Sequence, residues 1–283
     1  MYRPLTAQEL EDCVVDEAGQ RDDDIPACKP RSWIKAPSEK KKWSIVIMVD
    51  CGYGRDGVDP QDPEAVDLAK LIAAAPTADL KGVYTHEGHS YGAKSIAEVV
   101  QIGENGRDAV VAYAKILRAA GLTVDMIGVG STPTCSNPPA NLDGVTEMHP
   151  GNYCYDDQMQ VTFGSCKAEN VAVRVCTRII GHYPKRNMLL IDCGWTGASA
   201  QGKEHDYGAI DGHPELKILL LKQEAGEVGS SDNKPLQFER YPIGTLLRIV
   251  PWHSCASTHQ HTGVHVMKNG KLTGERWQHV RGW

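Results

Sequence analysis

Paired cysteines, long apolar runs and an excess of positive charge are all missing from this 283-residue sequence. No run reaches the roughly 18 apolar residues that a membrane-spanning helix needs, so no bilayer-spanning segment is expected. The opening Met1-Tyr2-Arg3-Pro4-Leu5 lacks the basic-then-apolar order of a secretory signal. Thirty Lys and Arg stand against 36 Asp and Glu, a formal charge of −6. That balance argues against a nucleic-acid binder held by phosphate neutralisation. The nine cysteines form no C-x-x-C pair, which excludes a zinc ribbon and a thioredoxin-type motif. With no signal peptide, they read as reduced thiols of a cytoplasmic protein, most of them serving as small buried hydrophobes. Aromatic residues are few, at 6%.

A hydrophobic share of 41% and a charged share of 23% describe an ordinary globular chain, long enough for one large or two medium domains. Residues 1–42 are poorly patterned: Asp22-Asp23-Asp24 and Lys40-Lys41-Lys42 read as solvated loops. From Trp43 the pattern sharpens. The continuous apolar run Ile45-Val46-Ile47-Met48-Val49 suits a parallel strand covered on both faces. It ends in the glycine-rich loop Asp50 to Gly57. A helix follows, capped by Asp62, with Pro63 at its first position and Ala65, Leu68, Ala69 and Ile72 on one face. Gly82 to His86 reads as a second strand, and Ser95 and Glu98 have capping-box spacing before a helix that ends at Gly121. Strands around 124–129 and 145–148 complete four strand units. Alternation of strand and helix predicts a parallel α/β sheet or barrel over 43–165.

Over 166–283 the helical period fades. Val171 to Val175, Met188 to Ile191, Ile218 to Leu221 and Leu246 to Val250 read as strands, and Lys268-Asn269-Gly270-Lys271 is a hairpin turn, because Asn-Gly accepts the positive φ it needs. A closed (β/α)8 barrel uses eight units. Either the sheet is open, or the chain begins partway through a barrel.

Ligands of parallel α/β folds gather at the C-terminal ends of strands. Four such ends carry polar loops here: Asp50 to Gly57, Tyr84 to Tyr91, Gly130-Ser131-Thr132 and Gly151-Asn152. Together they point to a phosphate-bearing ligand, since small residues let backbone N–H groups approach an anion. In the β-rich part, Pro251-Trp252-His253-Ser254-Cys255 places a histidine and a cysteine two apart just after a strand, so alternation would aim both the same way. By residue type the pair fits zinc or merely a satisfied core histidine. His259 and His261 read as exposed.

These residues carry a family resemblance. Val49-Asp50-Cys51-Gly52-Tyr53-Gly54-Arg55-Asp56-Gly57 resembles the D-x-G-x-x-R-x-G loop of alanine-racemase-type (fold type III) pyridoxal-phosphate enzymes. Tyr84 to Gly92, Gly130 to Thr134, His149-Pro150-Gly151-Asn152-Tyr153 and Pro251 to Cys255 are similar to the eukaryotic-type D-serine dehydratases, relatives of the D-threonine aldolases. The resemblance covers about residues 43–283. It implies a partial (β/α)8 alanine-racemase-like barrel followed by a β-rich C-terminal domain, and a homodimer. It also implies pyridoxal phosphate and zinc as cofactors, and conversion of D-serine to pyruvate and ammonia. By motif, Ser131, Thr132, Gly151 and Asn152 would hold the phosphate, Tyr84 and Tyr91 would line ring and substrate, and His253 and Cys255 would bind zinc. The family's Schiff-base lysine, in an R-P-H-x-K-T-H context, has no counterpart. Judged by spacing it would fall upstream of Met1, so the catalytic residue stays unassigned and this polypeptide is expected to be inactive. Two alternatives stand beside this: aldolase-like or D-threo-3-hydroxyaspartate dehydratase activity, and a non-catalytic remnant.

Overall fold

The apolar run forms a strand through Met48, and Val49 adds an isolated bridge to Val58. The computed structural model describes residues 42–279, and it divides them into two compact units that separate after Pro150. The expectations for residues 1–41 and for the last four residues fall outside the described part.

The first unit is a four-stranded parallel sheet in sequential order: β1 (Trp43–Met48), β2 (Ala78–Thr85), β3 (Met126–Val129) and β4 (Glu147–Met148). Between β1 and β2 runs α1 (Pro63–Ala74), whose N-terminus is capped as read: the Asp62 carboxylate accepts the Glu64 N–H at 2.9 Å. Helix α2 (Ile96–Ala119) follows β2. Its cap differs by one residue from a reciprocal box. Ser95 Oγ accepts the Glu98 N–H, but Glu98 returns its carboxylate to the Lys94 N–H at 2.7 Å. Gly121, at φ +84°, closes the helix in the left-handed conformation glycine tolerates.

Ile47, Val83, Ile127 and Val129 of the sheet pack on Ala69, Val110, Tyr113 and Leu117 of the helices. Tyr113 is wholly buried and its hydroxyl donates to the Ala65 carbonyl at 2.6 Å. Tyr113→Phe is expected to cost about 1 kcal/mol of stability, read as a lowered urea midpoint with an unchanged slope.

The second unit holds a six-stranded antiparallel sheet ordered β7-β10-β5-β6-β9-β8, with β5 (Val175–Tyr183), β6 (Met188–Ile191), β7 (Gly208–Ile210), β8 (Leu216–Leu221), β9 (Gly226–Ser230) and β10 (Leu246–Pro251). Its core is Ile179, Leu189, Ile191, Ile218, Val228, Leu247 and Ile249. The Asn269-Gly270 turn, at φ 51° and 75°, joins β11 (Gly263–Lys268) to β12 (Lys271–Gln278).

Three expectations need correction. Val171 to Arg174 are not strand: Ala172 donates its N–H to the Tyr155 carbonyl and Arg174 turns its guanidinium onto Val171, so the ladder begins only at Val175. Of the seven described cysteines all are free, as expected, but only Cys193 is buried, so most are not core residues. His261 is half-buried rather than exposed, with Nε2 2.8 Å from the Gly197 carbonyl. Among the described residues, no helix is long and apolar enough to cross a membrane.

Candidate functional site

In the first unit, the C-terminal ends of all four parallel strands carry the polar side chains. After β1, the Asp50 carboxylate accepts the N–H groups of Gly52 and Gly54, fixing the glycine-rich loop. Gly57 (φ +106°) brings that loop back so tightly that a Cβ would meet the Asp50 nitrogen at 2.5 Å. The loop presents Tyr53, stacked on His89 with ring centroids 6.1 Å apart and with the Arg55 guanidinium 5.2 Å from its ring.

At the end of β2, the Tyr84 hydroxyl donates to the Gly130 carbonyl at 3.0 Å, and its ring lies 4.5 Å from that of His149, just past β4. His86 Nδ1 is 3.2 Å from the same carbonyl. A carbonyl only accepts, so Nδ1 carries the proton and Nε2 is left as the basic nitrogen. Burial and then the Arg55 charge lower the pKa of His86, and burial lowers that of His89. Both imidazoles are therefore favoured in the neutral form. Burial pushes the Tyr84 phenol up to about 12. Tyr91 is half-buried in the 3-10 turn Gly88–Gly92.

Beneath these loops runs a buried hydroxyl chain. The Ser90 and Ser131 hydroxyl oxygens are 2.8 Å apart. Ser131 and Thr134 form a capping box at the start of α3 (Thr132–Ser136), and the Thr134 hydroxyl donates to Glu87 Oε2 at 2.5 Å. Glu87 is 1% exposed, and its Oε1 has no hydrogen-bond partner. Burial drives its pKa up to about 7, with the Thr134 hydrogen bond opposing. Ser131, assigned to a phosphate by motif, thus has its hydroxyl and N–H engaged inside the protein.

In the second unit, Asn152 and the His253 to Cys255 stretch share one network. Asp157 is fully buried and caps α4 (Gln158–Thr162), with Oδ1 accepting the Gln160 N–H at 2.9 Å. Its Oδ2 accepts the Ser254 N–H at 2.7 Å and an N–H of the Asn152 amide. The Ser254 hydroxyl completes the triangle by donating to Asn152 Oδ1 at 2.7 Å. Gly151 has φ −87°, and a Cβ there would meet nothing within 4 Å. Neither strain nor packing demands glycine at this position.

The strand-alternation argument for His253 and Cys255 fails. Strand β10 ends at Pro251, and α5 (Ser254–His259) begins between the two residues, so His253 is its N-cap and Cys255 its second residue. Their relation is set by a helix start, not a pleat. Burial lowers the His253 pKa while the Asp157 charge raises it. The packing around the solvent-accessible Cys255 thiol pushes its pKa up, and the Asp157 charge adds to this. Among the described residues, no third His, Cys, Asp or Glu joins them in a metal-binding group.

Sequence reading missed Glu87, Thr134 and Asp157 as organising residues. Asp157 had a visible signal, an acidic residue placed to cap Gln158–Thr162; its bond to Ser254, 97 positions on, had none.

Comparison with known proteins gives two family models. Residues 21–158 match "Alanine racemase, N-terminal domain" and residues 172–267 match "Putative serine dehydratase domain". A D-serine dehydratase of Dictyostelium discoideum is 36% identical over 252 residues, covering 83% of this chain and 64% of that protein. A D-threo-3-hydroxyaspartate dehydratase of Delftia sp. is 33% identical over 85% of this chain and 66% of its own length. The chain therefore spans just under two thirds of these relatives. Among solved structures, D-threo-3-hydroxyaspartate dehydratase appears as a histidine-to-alanine variant and as a cysteine-to-alanine variant in metal-free form. Both have TM-score 0.78 and 30% identity, and they cover 85% of this chain and 65% and 66% of theirs. The two substituted residues are two positions apart.

Proposed function

The chain belongs to the family that joins an alanine racemase N-terminal domain to a serine dehydratase domain, and from that premise we propose that it carries the cofactor cradle and metal pair of a lyase that converts D-serine to pyruvate and ammonia. The observation that carries this reading is the locked His253-Ser254-Cys255 turn, whose spacing matches the histidine and cysteine altered in the solved relative.

The donor chemistry fits both groups. An imidazole kept neutral by burial and a thiol are zinc ligands. Small residues and hydroxyls at strand ends suit a phosphate. In this reading the residues that the family motifs assign to the phosphate of pyridoxal phosphate are Thr132 with Ser131, within a capping box of the first unit, and Gly151 with Asn152 in the second. Tyr84, held on the Gly130 carbonyl, and Tyr91 line the ring and the substrate. Bound there, the cofactor would supply an electron sink and zinc a Lewis acid. The protein's part is to orient these groups and to hold its imidazoles neutral. The proposal includes a cytoplasmic homodimer; the seven described cysteines, all unpaired, suit a reducing compartment.

Assay of the protein as the cell makes it tests the reaction. Pyruvate from D-serine, abolished by a chelator and restored by zinc, is the expected result. Glycine from D-threonine without pyruvate from D-serine would replace elimination with aldol cleavage.

A further inference from the structure

We infer that Asp157 is a positioning residue for the metal pair, holding the His253-Ser254-Cys255 turn in ligating shape from the start of a distant helix. The inference rests on the proposed metal reading and adds a residue to it. Asp157 touches neither the metal nor the substrate in this account.

The argument is one of clamping. His253 is flanked by two backbone groups, and both are tied to the N-terminal end of α4, one to its cap and one to its second residue. On one side the Trp252 carbonyl accepts the Met159 N–H at 3.0 Å. On the other the Ser254 N–H donates to the Asp157 carboxylate at 2.7 Å. The segment bearing the imidazole is thus pinned before and after the ligand. Ser254, between the two ligands, is fully buried and is also fixed through its hydroxyl on Asn152, which in turn donates to Asp157.

An N–H at the start of a helix has no partner within that helix, and Asp157 supplies one to α5 while also capping α4. With two donors on Oδ2 and one on Oδ1, the carboxylate needs every oxygen to be an acceptor. An amide in its place would set an NH2 against an incoming N–H and break at least one strap. Groups that orient metal ligands without touching the metal commonly contribute 10–100-fold to affinity.

The test uses cobalt(II) as a spectroscopic stand-in for zinc. Wild-type protein is expected to show a thiolate-to-cobalt charge-transfer band on titration. Asp157→Asn, which keeps both ligands, is expected to reach the same band at about 10–100-fold higher cobalt. Ile218→Val, a core trim in the same unit, is expected to titrate like wild type, separating positioning from lost stability. If Asp157→Asn does not fold, Ser254→Ala provides the second arm, with an expected weakening in the same direction from loss of the Asn152 bond. Titration of Asp157→Asn or Ser254→Ala indistinguishable from wild type would overturn the inference while leaving the metal reading intact. Equal weakening in Ile218→Val would overturn it too. No band in wild type would overturn the metal reading and this inference with it.

Discussion

Residues 1–283, supplied with pyridoxal phosphate and zinc, are expected to release no pyruvate from D-serine beyond the rate of the two cofactors alone. Enzymic acceleration of about a millionfold or more requires a base positioned at Cα, and the proposal is that the lysine the family resemblance implies for that role is not among residues 1–283. The described lysines of the first unit lack the environment that role needs. Lys42, Lys70, Lys81, Lys94 and Lys115 are all exposed, Lys70 is paired with Asp67, and Lys81 is paired with Asp79, which raises its pKa. A catalytic lysine needs the opposite shift, a pKa lowered by burial or a neighbouring cation. A coupled lactate dehydrogenase assay reads the outcome, and turnover well above the cofactor background would contradict the assignment of the missing base.

Glu87→Gln is expected to flatten the pH dependence of stability. Burial lifts the Glu87 pKa to about 7 from its usual 4.5, so between those values the folded protein keeps a proton that the unfolded chain has released. Stability from this group is full below about pH 4.5, falls as pH rises toward 7, and is level above that. At 1.36 kcal/mol per unit the loss amounts to roughly 3 kcal/mol. The orphaned Oε1 is the structural source of the cost, since an ionised carboxylate there lacks a donor. Glutamine does not ionise, so the difference between wild-type and variant urea midpoints should shift steadily from pH 5 to 7. Subtracting the variant also removes the opposite contribution of Glu215, whose carboxyl is pulled down to about 2 by the Tyr241 hydroxyl. Parallel pH profiles would show that Glu87 does not titrate in this range.

Local signals in the sequence carried much of the fold. The Asp62-Pro63 start, the Gly121 stop and the Asn269-Gly270 turn each stand where backbone chemistry demands those residues. The glycine-containing strands β7 and β9 went unread because their pairing partners, not their own side chains, make them strands. Val171 to Arg174 show the converse: a β-branched run whose backbone is taken by the Tyr155 carbonyl and a local arginine. The candidate site was legible as residue types at strand ends. Its supports were not, because Glu87 with Thr134 and Asp157 with Ser254 meet across 47 and 97 positions of chain. A helix starts inside the His253 to Cys255 stretch, its first N–H taken by that second contact, so alternation gave the wrong local geometry.

The account stands on the metal. Zinc content of the purified protein after exhaustive dialysis, beside His253→Ala and Cys255→Ala, tests it most directly. Stoichiometric zinc in the wild type and its loss from both variants is the result expected. A wild type without zinc, or variants that retain it in full, would contradict the assignment of this turn as the centre of the elimination.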